Sequence, residues 1–132
     1  MKIDLVLDTS ALVAYWQKER GHDRVRAALR EKGCAMHAVN VMEYLTVMPR
    51  RQPARFTVAS AAHWLDRSGI ACVEGTDARF RTLAASVRLA DKALSMGDGV
   101  AVALAATIGA PLMVAEKAFE RVSKFARIDL IR

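Results

Sequence analysis

Short strand-like runs alternate with helical segments along the whole chain, and this constrains the sequence more than any other feature. Residues 3–7 are mostly β-branched or Leu with little apolar–polar alternation, the pattern of a strand buried on both faces. Further strands are predicted at residues 34–37, 70–73 and 111–115, with an edge strand at 126–131. Helices fill the intervals. Ser10 is placed to cap one over 11–17, and Asp23 caps a second running to Lys32 with Val25, Ala28 and Leu29 on one face. Asn40 caps a third to about Val47, with Val41, Tyr44, Leu45 and Met48 at helical spacing. Pro49-Arg50-Arg51-Gln52-Pro53 then reads as a basic loop, and residues 54–67 as a fourth helix with Phe56, Ala59, Ala62, His63 and Leu65 inward. Thr76 caps a fifth helix to Ala90, Asp98 opens an Ala/Val/Leu-rich sixth to Ile108, and a short helix covers 116–122. Strands alternating with helices pair in parallel through right-handed crossovers. The expected fold is a three-layer α/β/α sandwich with a central, mostly parallel sheet of four to five strands. At 132 residues it makes a single domain over 1–132. Ligands of such sheets bind at the carboxyl ends of the strands, near a switch point.

Charge points to the kind of partner. Lys+Arg total 20 against Asp+Glu 14, for a formal net charge of +6, and 14 of the 20 are Arg. Arg presents a planar fork of donors that matches phosphate oxygens, so a phosphate-rich partner is the first expectation. Cys34 and Cys72 stand too far apart for a CxxC motif, and each lies in a short apolar run that reads as a buried thiol. Asp4 and Asp8 interrupt any signal-peptide core, which gives a cytoplasmic expectation. The uncharged stretch between Asp98 and Glu116 is broken by Gly109-Ala110-Pro111, whereas a membrane span needs about 20 apolar residues. No membrane association is expected.

The acids carry the chemistry. Asp8 ends the first strand, Glu116 follows the fourth, Asp98 stands at a helix start, and Glu43 sits inside a helix among Met42, Tyr44 and Leu45. Alone, each has an ordinary reading: Asp98 and Glu116 suit the positive end of a helix dipole, Asp8 suits an N-cap, and Glu43 a solvated face. Together, α/β topology brings all four toward one sheet edge. Like charges gathered in a cleft repel, and burying them unpaired is costly. A hard divalent cation such as Mg²⁺ or Mn²⁺, which prefers oxygen ligands, resolves that conflict. Thr9 or Ser10 would position a carboxylate or a water through a hydroxyl. Basic residues would hold a polyanion around the pocket, and the Arg50–Arg51 loop is expected outside it.

These residues resemble the PIN domain family, and within it the VapC-like toxins of bacterial toxin–antitoxin pairs. Leu5-Val-Leu-Asp8-Thr-Ser10-Ala-Leu looks like the first family motif and Asn40-Val-Met-Glu43-Tyr-Leu like the helix carrying the second acid. Leu94-Ser-Met-Gly-Asp98-Gly-Val-Ala matches the third motif and Gly109-Ala-Pro-Leu-Met-Val114-Ala115-Glu116-Lys-Ala-Phe119 the fourth, so the resemblance runs from Leu5 to about Arg127. The fourth departs from the usual Thr-Ala-Asp followed by Asp-Phe. Glu116 keeps the charge with a longer reach, Val114 removes a hydroxyl, and Ala118 removes an acid. The resemblance implies an endoribonuclease dependent on Mg²⁺ or Mn²⁺, with Asp8, Glu43, Asp98 and Glu116 as catalytic and metal-binding residues. It implies an RNA substrate, a homodimer and a cognate antitoxin protein that holds the toxin inactive. Arg50, Arg51 and Arg55 are candidates for RNA or partner contact, beside the plainer reading of a solvated loop.

Other readings have specific weaknesses. A phosphatase of the haloacid dehalogenase type would want a general-acid Asp two positions after Asp8, where Ser10 stands. His22, His37 and His63 have no nucleophile elbow near them, and His63 reads as inward-facing. A non-catalytic PIN-like module that binds RNA or protein remains the alternative, prompted by the altered fourth motif.

Overall fold

The computed structural model describes residues 2–132. Five strands form one sheet: β1 (Leu5–Leu7), β2 (Cys34–His37), β3 (Ala71–Val73), β4 (Leu112–Val114) and β5 (Ile128–Leu130). Their spatial order is β3-β2-β1-β4-β5, and every neighbouring pair is parallel. Among the described residues there are six α-helices, α1 (Thr9–Gln17), α2 (His22–Glu31), α3 (Ala38–Arg51), α4 (Val58–Ser68), α5 (Ala78–Ala90) and α6 (Met96–Ile108). A 3-10 helix, Lys117–Val122, joins β4 to β5.

Alternation along the central strands splits the interior into two cores. Leu5, Leu7, Met36 and Met113 point to one face and pack with Leu12 of α1, Val25 of α2, Tyr44 and Met48 of α3, and Leu65 of α4. Val6, Leu112 and Val114 point to the other face, against Phe80 and Val87 of α5, the run Val100–Ala105 of α6, and Phe119. Three layers and a buried central strand therefore follow from the period-two geometry of extended chain.

From β1 the chain steps outward to β2 and β3, then crosses back to place β4 and β5 on the other side of β1. The direction reverses between β1 and β4, and a crevice opens beyond their carboxyl ends.

Several boundaries differ from those the sequence predicts because of capping. Asp8, rather than Ser10, caps α1. His37 caps α3, with Nδ1 accepting from the Val39 amide at 3.1 Å, so Asn40 lies inside the helix. Thr57 caps α4, Asp77 caps α5 and Ser95 caps α6, which places Asp98 in the first turn of α6. The expected basic loop is instead the end of α3. Pro49 is tolerated there, and the Gln52 amide still donates to the Met48 carbonyl at 2.8 Å while Met48 is fully buried. Ala59 and His63 face solvent; Ala61 and Leu65 make the inner stripe of α4. Cys34 is buried as expected, but Cys72 is exposed because β3 is an edge strand.

Candidate active site

The Asp8 amide extends the β1–β4 ladder by donating to the Met113 carbonyl at 3.0 Å, and the chain then turns into α1. As N-cap, Asp8 accepts through Oδ2 from the Ser10 amide at 3.0 Å and from the Ser10 hydroxyl at 2.6 Å. The Ser10 hydroxyl oxygen accepts in turn from the Ala115 amide at 3.0 Å, so one side chain fastens the end of β1 to the end of β4. Asp8 is only 2% exposed, and its Oδ1 is buried with no hydrogen-bond partner. Burial drives its pKa up to about 7; the Ser10 hydrogen bonds oppose this, and the charges of Asp98 and Glu43 add to it.

Glu43 projects from α3, and its position is dictated by neighbours. Its Oε1 lies 2.9 Å from the Thr9 hydroxyl and 3.0 Å from Asn40 Nδ2. The single Thr9 proton is shared with the Asn40 carbonyl oxygen at 3.0 Å. Asn40 Nδ2 also donates to the Gly97 carbonyl at 2.9 Å, which ties α3 to the first turn of α6. A Cβ on Gly97 would collide with the Glu43 carboxylate, so only glycine leaves it room.

Asp98 forms a capping box with Ser95: its carboxylate accepts from the Ser95 amide at 2.9 Å, and Ser95 Oγ accepts from the Asp98 amide at 3.2 Å. The cap and the site are therefore both served by one residue. Glu116 sits at the start of the 3-10 helix without a side-chain capping bond. Its pKa is raised by partial burial and then by Asp98, while Arg132 and Arg51 pull it down and Glu43 adds a smaller upward push.

Asp8, Glu43, Asp98 and Glu116 all line one open cavity of about 800 Å³ at the β1–β4 switch point, with Thr9 and Ser10. Arg51 lines it as well, contrary to the expectation that this arginine lies outside; the continuation of α3 past Pro49 carries it there. Arg50 and Arg55 do not. The Arg55 guanidinium lies over the Trp16 ring, 5.1 Å from its centroid. Sequence reasoning missed Asn40 as a support for Glu43, Gly97 as the space beside it, and Glu19 and Arg132 on the cavity wall. Gly97 did carry a signal: glycine in a helical first turn is unfavourable by propensity and points to a close approach.

Among the described residues, no three His, Cys, Asp or Glu side chains converge as a ready-made metal cage. The donor set nonetheless suits a hard cation. It is all oxygen, it has a buried Asp8 Oδ1 lacking any partner, and Gly97 leaves open space for the Glu43 carboxylate.

The sequence profile of the PIN domain matches residues 5–125. The chain belongs to the PIN domain family. Among solved structures, the PIN-domain chain resembles VapC20 of Mycobacterium tuberculosis, a toxin that cleaves the sarcin–ricin loop, with a TM-score of 0.70 and 16% identity over 89% of this chain and 93% of that one. DNA-bound VapBC from Salmonella typhimurium matches with a TM-score of 0.71 and 16% identity, covering 98% of this chain and 99% of its own. A toxin–antitoxin complex from Klebsiella pneumoniae matches at 0.70 and 14% identity, with 98% of both chains covered. These likenesses establish a shared fold. No curated protein matches the chain in sequence. No helix of the described residues is long and apolar enough to cross a membrane.

Proposed function

We propose that this PIN-domain protein is a metal-dependent endoribonuclease, the toxin of a VapBC-type toxin–antitoxin pair. The observation that carries the proposal is the buried Asp8 carboxylate, with one oxygen unpartnered, in a cavity shared with Glu43, Asp98 and Glu116. The family membership and the toxin structures with the same fold support it. In this reading residues 1–132 act as one catalytic unit in the cytoplasm, as a homodimer silenced by an antitoxin.

Asp8, Asp98 and Glu43, with Glu116 at the rim, would hold Mg²⁺ or Mn²⁺. A cation so held lowers the pKa of bound water and offsets charge on a phosphoryl oxygen. The chain's own residues set the stage. Ser10 holds one Asp8 oxygen and leaves the other free, and Thr9 and Asn40 fix the Glu43 carboxylate. The altered fourth motif, with Ala118 and the rim position of Glu116, favours a second reading as a binding module without catalysis.

Cleavage of single-stranded and structured RNA with Mn²⁺ or Mg²⁺ separates the two. The nuclease reading expects activity that falls by about 10²-fold or more in Asp8→Asn and Asp98→Asn. Wild-type protein that never exceeds background with either metal sinks it.

A further inference from the structure

The cavity wall holds five carboxylates, Asp8, Glu19, Glu43, Asp98 and Glu116, and two cations, Arg51 and Arg132. The two arginines reach it from elements that follow different strands. Arg51 ends α3, which follows β2, and Arg132 lies two residues beyond β5. The backbone that carries Arg132 is fixed. Ile131 is 4% exposed, and its amide extends the β4–β5 ladder by donating to the Val114 carbonyl at 3.0 Å. Gly21, at φ 90°, has its α-carbon turned onto the Ile131 backbone so closely that any Cβ would clash. The Arg132 guanidinium pairs with Glu19 Oε1 at 3.1 Å, and Gln17 Nε2 donates to the other Glu19 oxygen at 2.8 Å. Both members of the ion pair are partly open to solvent, so the pair is weak and exchangeable.

Resting on the nuclease reading of the same cavity, we infer that Arg132 is a substrate-binding residue: its guanidinium leaves Glu19 to grip a phosphate of the RNA beside the scissile bond, with Arg51 gripping a second. The chemistry requires such groups. A phosphodiester entering a wall of five carboxylates is repelled, and a planar guanidinium offers paired donors to phosphate oxygens. The position also suits the role, since both arginines line the same cavity as Glu116, the rim acid. Glu19 then serves as the competing anion that occupies Arg132 until RNA displaces it. A carboxylate-rich protein segment is the competing occupant, but RNA is favoured because the same cavity holds the acids of the cleavage chemistry.

The test compares wild type, Arg132→Ala, Arg132→Gln, Arg132→Lys and Glu19→Gln in cleavage of a labelled RNA with Mn²⁺. Arg132→Ala and Arg132→Gln are expected to raise KM about tenfold with kcat within about twofold, and Arg132→Lys to recover part of the loss. Glu19→Gln removes the competing anion and is expected to lower KM by about two- to fivefold. In the Asp98→Asn background, anisotropy of a single-stranded RNA should show the salt slope of binding reduced by about 0.7 on loss of Arg132, the value for one phosphate contact. Unchanged KM and salt slope in both Arg132→Ala and Arg132→Gln overturn the proposal while leaving nuclease activity in place. A loss confined to binding of a poly-glutamate peptide, with RNA unaffected, also overturns it and assigns Arg132 to a protein interface. If wild type cleaves nothing, the nuclease reading falls, and the anisotropy arm still decides whether Arg132 binds RNA.

Discussion

The Ser10 hydroxyl donates to Asp8 Oδ2 across 2.6 Å, and this contact opposes the burial that favours a protonated Asp8. Replacing Ser10 with Ala removes that hydrogen bond and leaves the Ala115 amide without its acceptor. The Ser10→Ala protein should lose about 1–3 kcal/mol of stability in denaturant titration, the usual cost of a buried group left unpaired. Its pH–activity profile should move to higher pH, because the Asp8 carboxylate ionises later. A profile that stays in place would show that Ser10 serves the β1–β4 junction alone.

Stability of the metal-free protein should fall as pH rises from about 4 to about 7. The sign follows from the shift: burial moves the Asp8 carboxyl from its ordinary 3.8 up to about 7, so the folded state holds the proton that the unfolded state releases. Below the unfolded value there is no penalty. Above the folded one it is complete, on the order of 4 kcal/mol at about 1.4 kcal/mol for each pH unit between the two values. The upward shift of Glu116 acts in the same direction. Asp8→Asn should therefore melt higher than wild type at pH 8 without metal and nearly level with it at pH 4. Differential scanning calorimetry at the two pH values checks this.

Millimolar Mn²⁺ or Mg²⁺ should raise the melting temperature at pH 8 far more than at pH 5, since a bound cation relieves the repulsion only where the acids are ionised. The Asp8→Asn and Asp98→Asn proteins should show a much smaller rise. Equal melting curves with and without metal at pH 8 would count against a formed site.

Gly97→Ala tests the space beside Glu43. The added methyl would press on the Glu43 carboxylate, so activity should drop by about 10-fold or more, as when a supporting group around a metal site is lost. Stability should change by about 1–3 kcal/mol, the common range for overpacking, partly offset by the better helix propensity of Ala. Cleavage kinetics beside urea unfolding separate the two effects.

His37→Ala should cost about 2–4 kcal/mol, from loss of the α3 cap and of a buried ring stacked on Phe80 with centroids 5.1 Å apart. His37→Asn should regain about 1 kcal/mol by restoring the cap. The Nε2 atom lies 3.0 Å from the Gly75 carbonyl and Nδ1 accepts from Val39, so the neutral ring with its proton on Nε2 is the form that caps. Chemical denaturation of both variants checks the difference.

The same residue marks the limit of what the sequence makes legible. The strands are legible because the runs around Leu5–Leu7 and Leu112–Val114 are apolar on both faces, and burial on both faces leaves only a central position. The four acids are legible because strand ends and helix starts share one edge of an α/β sheet. The caps are only partly legible: Asp8 and Ser10 both suit the start of α1 by local propensity and Asp8 takes it, whereas His37 displaces Asn40 at α3 by tertiary placement, which local propensity does not encode. Arg51 is misplaced for a related reason, because buried Met48 carries the helix through Pro49. Glu19 and Arg132 meet across 113 positions and have no local signal at all.

The strand order β3-β2-β1-β4-β5 also sets when the protein can become active. The first strand supplies Asp8, but its neighbour β4 and the Ala115 amide that anchors Ser10 come 105 positions later. A nascent chain on the ribosome has no complete crevice until synthesis has passed Glu116. On the proposed nuclease reading, the topology itself spares the messenger and the ribosome for most of the chain's own translation.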